Sequence, residues 1–228
     1  NPVHEDMLEA AEMAAPDFVI NAVLTPEKKL CAVFCGDLRV AHREACRYYL
    51  EHFSVIKQAA ADLTIVSCGG FPKDINFIQA HKAIDSAFSV TRPGGWMIIM
   101  AECRDGFGFP GFIDWFRYNR KEEFEGALRE DYQIYGQTAY ATYEKATSIN
   151  IILVSTLAPK DVERMQMYPA DGFEKALALA AGHLGKEFRT YVIPASSASI
   201  FQTEAEHARA LTSVTKYRNE NAKSQKIS

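Results

Sequence analysis

From Asp62 onward, short apolar runs alternate with amphipathic segments, and few architectures accept that order. Leu63 to Ser67 is an apolar run of the kind that parallel sheets bury on both faces. It ends in Gly69-Gly70-Phe71-Pro72, and Asp74 is placed to cap a helix running through Phe88. Pro93-Gly94-Gly95 breaks that helix, and Trp96 to Ala101 reads as the next strand. A glycine and proline loop, Gly106 to Gly111, leads to helical patterns at Phe112 to Tyr118, Lys121 to Leu128 and Thr138 to Thr147. Ile149 to Val154 is a β-branched strand, Gly172 to Leu184 an alanine-rich helix, and Phe188 to Ile193 a last strand stopped by Pro194. Repeated strand–helix–strand units with these loop lengths predict an α/β fold. Its sheet is mostly parallel, with helices on both faces (Rossmann-like) and right-handed crossovers.

The first fifty or so residues do not share that rhythm. His4 to Ala14 has a helical pattern, and so does Asp37 to Phe53. Between them, Phe18 to Leu24 and Leu30 to Cys35 flank a turn built on Pro26 and charged residues, which predicts a β-hairpin. Three segments follow: 1–52, a helix and hairpin; 53–202, the α/β domain; and 203–228, a C-terminal helix and polar tail. The opening Asn1-Pro2-Val3 raises the expectation that processing or truncation removed something upstream.

Composition excludes several classes of function. With 228 residues, 48% of them hydrophobic, the chain can bury a core without disulfides or a structural metal. A formal charge of −4 with interspersed signs argues against a nucleic-acid footprint. No apolar run reaches the roughly 18 residues of a membrane span, and no signal-peptide pattern opens the chain. The five cysteines include no C-x-x-C pair, which points to a reducing, cytoplasmic setting. Cys31, Cys35 and Cys68 lie in strand-like runs and are expected to be buried thiols. The six histidines form no H-x-x-x-H or H-E-x-x-H pair, so no metal site is expected in this chain. The G-x-S-x-G elbow of the simplest hydrolases is also missing.

Open α/β sheets bind ligands beyond the carboxyl ends of their strands, which selects the loops Gly69–Lys73, Glu102–Gly111 and Thr156–Lys160. Gly69, Gly70 and Lys73 fit an anion-binding turn, with backbone N–H groups of the next helix adding donors. They fit equally a tight βα turn whose glycines only solve backbone geometry. On the helix after Asp74, residues Phe77, Ala80, Ile84, Ala87 and Phe88 share one face, and Gln79, Lys82 and Ser86 the opposite one. The polar stripe is either plain solvated surface or the wall of a cleft. Glu102, with Arg104 and Asp105, is either an acid–base group or part of a structural charge cluster. The residues taken alone therefore leave an α/β domain with a possible anion site. They also admit a non-catalytic anion- or nucleotide-binding module.

CGGFPKDINFIQAHKAID from Cys68 to Asp85, followed by PGGWMIIMAECRDGFG from Pro93 to Gly108, resembles the nickel-dependent lactate racemase family. The opening segment and GDLRVAH from Gly36 to His42 are similar to the stretch preceding those motifs in that family. The resemblance implies an isomerase, a racemase or epimerase of 2-hydroxy acids that uses a nickel pincer nucleotide. It implies that the cofactor's tethering lysine, its nickel ligand and the two acid–base histidines lie in an N-terminal catalytic domain outside this chain. No catalytic residue and no cofactor are then expected here, and the chain alone is expected to be inactive. By the same resemblance Gln79 and Lys82 match substrate-binding residues. Ile78 stands where lactate-active members carry a tyrosine, which implies a 2-hydroxy acid other than lactate. A family tryptophan expected near Tyr140 to Tyr143 has no counterpart.

Overall fold

The structure, a computed structural model, describes residues 2–196 and 200–224, with side chains through 215. The chain divides into two compact units: residues up to Ile56 together with those from Gln202 onward, and Lys57–Phe201. The predicted tail helix therefore belongs with the opening segment rather than standing alone.

The first unit holds helix α1 (Pro2–Met13), strands β1 (Val19–Leu24) and β2 (Leu30–Gly36), helix α2 (Leu38–Phe53), strand β3 (Ser54–Ile56) and helix α8 (Glu204–Ser224). β1 and β2 form the expected antiparallel hairpin, with Val19 opposite Gly36 and Ile20 opposite Cys35. Asp37 caps α2, its carboxylate accepting from the N–H groups of Arg39 and Val40 at 3.0 Å each. α2 packs on the hairpin and on α8. α1 buries no residue, and Phe18, Ile20 and Leu30 on the hairpin are at least 60% exposed. Strand alternation puts Cys31 and Cys35 on this bare side, so the expected burial holds only for Cys68. An apolar run signals a strand but does not say whether anything covers it.

The second unit is the α/β domain. In chain order it comprises β4 (Ala61–Ser67), α3 (Phe77–Phe88), β5 (Thr91–Met100), a 3₁₀ turn (Phe112–Arg117), α4 (Lys121–Glu130), α5 (Gly136–Ser148), β6 (Asn150–Val154), α6 (Pro159–Arg164), β7 (Tyr168–Ala170), α7 (Phe173–His183) and β8 (Thr190–Ile193). The short strand β9 (Ile200–Gln202) follows. Five strands form one sheet in the order β7-β6-β5-β4-β8, with every neighbouring pair parallel. Period-two alternation divides the core. Met97, Ile99, Ile151 and Leu153 face α3, α4, α5 and the 3₁₀ turn, while Trp96, Ile98 and Ile152 face Ala176 and Ala180 of α7. Both faces are covered, as the near-continuous apolar strands require.

Three local readings change. α3 starts at Phe77 with Asn76 as its cap, whose side chain accepts from the Gln79 N–H at 3.0 Å. Asp74 is buried instead, and its Oδ2 accepts from the Glu102 N–H at 3.3 Å. Pro93-Gly94-Gly95 does not end the helix but lies within β5, where Ala61 pairs with Thr91 and Leu63 already with Trp96. Such a bulge accommodates proline, and a Cβ on Gly95 would stand 2.9 Å from the Arg92 carbonyl. Helix α6 and strand β7 were not foreseen, because six and three residues are too few to show a period.

Candidate functional site

The sheet order fixes where chemistry gathers. β4 is flanked by β5, reached through α3, and by β8, which arrives only after the chain has crossed the other face through α7. The carboxyl ends of β4 and β8 thus form a topological switch point, the usual ligand crevice of open α/β sheets. A cavity of about 210 Å³ opens there, lined by Cys68, Lys73, Gln79, Lys82, Ala83 and Ser196.

Each lining group has a local cause. Cys68 is the residue after β4, and Ser196 lies just beyond β8. Gln79 and Lys82 sit one turn apart on the exposed side of α3, whose other side buries Phe77, Ala80, Ile84 and Ala87. Lys82 Nζ donates to Gln79 Oε1 at 2.7 Å, which leaves the Gln79 amide N–H₂ as a donor. Lys73 is delivered by a tight turn in which its N–H donates to the Gly70 carbonyl at 2.8 Å. Gly69, at φ +90°, lies under Lys73, so that a Cβ there would come within 3.6 Å of the Lys73 Nζ.

The backbone donors expected at the start of α3 are already used. The N–H groups of Phe77 and Ile78 donate to the carbonyls of Gly106 and Phe107 at 3.0 and 3.2 Å, and that of Gln79 to Asn76. The loop comes this close because Gly108 has no side chain; a Cβ there would lie 2.4 Å from Asn76. Positive character in the cavity therefore comes from the two lysine side chains and not from the helix terminus.

The other residues singled out in the sequence lie elsewhere. Ile78 is 8% exposed and belongs to the core rather than to the cavity wall. Gly70 is exposed at the turn. Glu102 uses its backbone carbonyl to hold the N–H and hydroxyl of Thr156 at 2.9 and 2.8 Å. Arg104 stacks over the Phe71 ring at 4.3 Å. Tyr143 is buried, its hydroxyl donating to the Asn119 carbonyl at 2.8 Å. A larger hollow of about 540 Å³ lies beside the carboxyl end of β6, but its one cation, Lys175, is paired with Asp171 at 2.6 Å. Size alone does not make it the site, because its charged lining groups, Lys175 and Asp171, neutralise each other.

Asp74 and Cys103 were missed as neighbours of the cavity floor. Burial pushes the Cys68 and Cys103 thiols up to about 12, and the Asp74 carboxylate adds to both shifts. At pH 8 only roughly one in ten thousand such thiols is ionised, and the thiolate is the reactive form. Alkylation of the folded chain at pH 8 is therefore expected to modify Cys31 and Cys35 and to spare Cys68 and Cys103. Mass mapping after brief iodoacetamide treatment checks this. Labelling of Cys68 ahead of Cys31 would contradict the burial described.

Fold and cleft together define the class: a parallel α/β domain that presents two ammonium groups and an amide at the carboxyl ends of its strands. Residues 56–201 match the model of the lactate racemase C-terminal domain. The chain belongs to the lactate racemase family and carries its C-terminal domain. It is 32% identical to the lactate racemase of Lactiplantibacillus plantarum over 204 residues, which covers 85% of this chain and 47% of that protein. It is 36% identical to the lactate racemase of Thermoanaerobacterium thermosaccharolyticum over 120 residues, 53% of this chain and 28% of that protein. The structure of the latter's apoprotein superposes with a TM-score of 0.82 at 29% identity, covering 89% of this chain and 50% of that one. A crystal structure from Thermotoga maritima shares the fold at a TM-score of 0.57 and 16% identity. The chain spans at most about half the length of these relatives.

Proposed function

We propose that this chain is the C-terminal part of a 2-hydroxy acid racemase or epimerase, in which Gln79 and Lys82 hold the substrate and the α/β domain closes the active site. The observation that carries this reading is the convergence of both side chains on one small cavity at the sheet's switch point. A 2-hydroxy acid offers a carboxylate beside a hydroxyl. The Lys82 ammonium supplies a charge-assisted hydrogen bond to the carboxylate. The Gln79 N–H₂, oriented by Lys82, donates to a neighbouring substrate oxygen. A pocket of about 210 Å³ suits a small acid and falls below the roughly 300–1,000 Å³ that larger ligands occupy. A nucleotide-binding module is further disfavoured because the α3 N–H groups that would cradle a phosphate are spent on the 106–107 loop and Asn76.

The lining residues bind and orient; they do not provide a base. Their titratable groups are two lysines and a thiol held at about 12. Among the described residues no group of three or more His, Cys, Asp or Glu side chains could hold a metal ion. Where the full-length protein carries the nickel pincer nucleotide that its family implies, this reading assigns the residues that hold it to a preceding N-terminal domain. Proton and hydride transfer then belong to a preceding N-terminal domain. The bare hairpin around Phe18, Ile20 and Leu30 supports docking on such a domain, since contiguous exposed apolar surface marks an interaction site. Five unpaired cysteines suit a reducing compartment and support a cytoplasmic location, and among the described residues no helix is long and apolar enough to cross a membrane.

A chiral assay tests the proposal. Full-length protein carrying its nickel cofactor is expected to interconvert the enantiomers of a 2-hydroxy acid, and this chain alone is expected to show no turnover above buffer. Turnover by the chain alone would overturn the division of labour. Absence of racemisation by the full-length protein across a panel of 2-hydroxy acids would overturn the function. Docking adds that Cys31 and Cys35, reactive in the chain alone, become protected in the full-length protein.

A further inference from the structure

Helix α1 buries no residue, so its hold on α2 rests on a few side-chain contacts. The His4 ring stacks on that of His42, with centroids 5.3 Å apart and planes 19° from parallel. Near the other end of α1, Glu12 pairs with Arg39. Between these contacts Met7, Leu8 and Ala11 of α1 and Leu38 of α2 line a groove of about 150 Å³. Cys46, one turn after His42, has its Sγ 3.8 Å from both ring nitrogens. Burial pushes that thiol up, so it stays protonated and offers its S–H to the neutral imidazole. The ionisable groups around His42 are therefore His4, Glu5 and Glu12 from α1, and Arg39, Arg43 and Cys46 from α2. Glu5 and Arg43 have partners of their own. The hairpin and α8 also pack on α2, but among the described residues neither places a charged group that acts on His42.

We propose that the His4–His42 stack is an acid-sensitive latch, which docks α1 on α2 while His42 is neutral and releases the helix when His42 takes a proton. The added charge lands against the His4 ring and beside Arg43, at a groove lined largely by apolar side chains, where a cation is poorly hydrated. Protonation also removes the lone pair that accepts from the Cys46 S–H. The Glu12–Arg39 pair remains, but an exposed ion pair of this kind contributes little by itself. Burial, His4 and Arg43 already hold the His42 pKa below the ordinary histidine value, although the residue stays partly exposed. A value lowered by folding means that docking is complete above the ordinary value and is lost as pH falls through the lowered one. Release bares Leu8 and Leu38, the apolar sides of the groove.

Hydrogen exchange read by mass spectrometry on the full-length protein tests the latch. Between about pH 7.5 and about pH 5.5, the α1 peptide is expected to lose protection by at least about tenfold, once the intrinsic pH dependence of exchange is removed, while α2 keeps its own. His42→Phe keeps a flat ring against His4 and cannot take a proton, so its α1 should stay protected at both pH values. In wild type, α1 equally protected at both pH values, or unprotected at both, overturns the proposal. A fall in His42→Phe as large as that of wild type also overturns it, because the titrating group would then be another one. The ring resonances of His42, followed by NMR in the wild type, give a check that does not depend on the variant. The midpoint of α1 release should coincide with the titration of this ring, and a separation of more than about one pH unit overturns the proposal.

Discussion

On the proposed function, Lys82→Ala in the full-length protein is expected to lower kcat/KM for a 2-hydroxy acid by at least about tenfold, or ~1.4 kcal/mol of transition-state stabilisation. A hydrogen bond to a charged group contributes about 1.5–3 kcal/mol where water is excluded, so the estimate sits at the low end. Two losses combine in this variant. The ammonium is gone, and Gln79 Oε1 loses the donor that holds it at 2.7 Å, so the amide is no longer oriented. Folding should be spared, because Lys82 lies on the exposed side of α3 and its only described partner is one turn away. Exposed substitutions of this kind usually change stability by less than about 0.5 kcal/mol. Activity equal to wild type would remove Lys82 from the site. A large fall in melting temperature would make it a structural residue instead. Lys82→Arg is a useful companion: it keeps the charge but replaces a compact donor with a planar fork, and should recover only part of the loss.

The helical face that carries the candidate site was legible in the sequence, and the reasons are specific. Gln79 and Lys82 could be placed on one helical face because Phe77, Ala80, Ile84 and Ala87 mark the opposite one at helical spacing. The strand order could not be read, since parallel strands announce themselves as apolar runs without naming their neighbours. Only the return of β8 to the far side of β4 brings Ser196 next to Cys68 and closes the cavity. The cap of α3 was misplaced by two residues because Asp74 and Asn76 are both good capping residues in sequence. Tertiary context decides between them. The Asp74 carboxylate is drawn inward by the Glu102 N–H, and Gly108 lets its loop press against Asn76. The same loop consumes the helix N–H groups that a glycine pair followed by a helix seemed to promise to an anion. Ile78 follows the same logic: an alignment by resemblance puts it beside the substrate, whereas the wheel of α3 puts it in the core.

The hairpin shows where sequence patterning misleads in the other direction. Leu30 to Cys35 reads as a buried strand, yet Leu30, Val33 and both cysteines are exposed. A pattern records the surroundings a segment was selected for. The docking proposed for the bare hairpin would supply such surroundings.

Phe77→Ala should be the most destabilising single change near the cleft, costing about 3–5 kcal/mol. Phe77 is the first residue of α3 and is fully buried, and its ring lies 5.6 Å from that of Phe112 and 6.5 Å from that of Phe107. The ring therefore ties three pieces together: the helix bearing Gln79 and Lys82, the loop that caps it, and the 3₁₀ turn after the loop. Truncation removes the transfer free energy of the ring and leaves a cavity that the short loop cannot collapse into, because its carbonyls are bonded to the α3 N–H groups. For a domain of this size each kcal/mol moves the melting temperature by about 2–4 °C, so a fall of roughly 6–20 °C is expected for the α/β unit. Phe77→Leu, which keeps much of the volume, should cost distinctly less. Calorimetry on wild type and both variants provides the check. A loss below about 1 kcal/mol in Phe77→Ala would show that the aromatic cluster does not fasten α3 to its capping loop. The orientation of Gln79 and Lys82 would then have to come from the sheet beneath them.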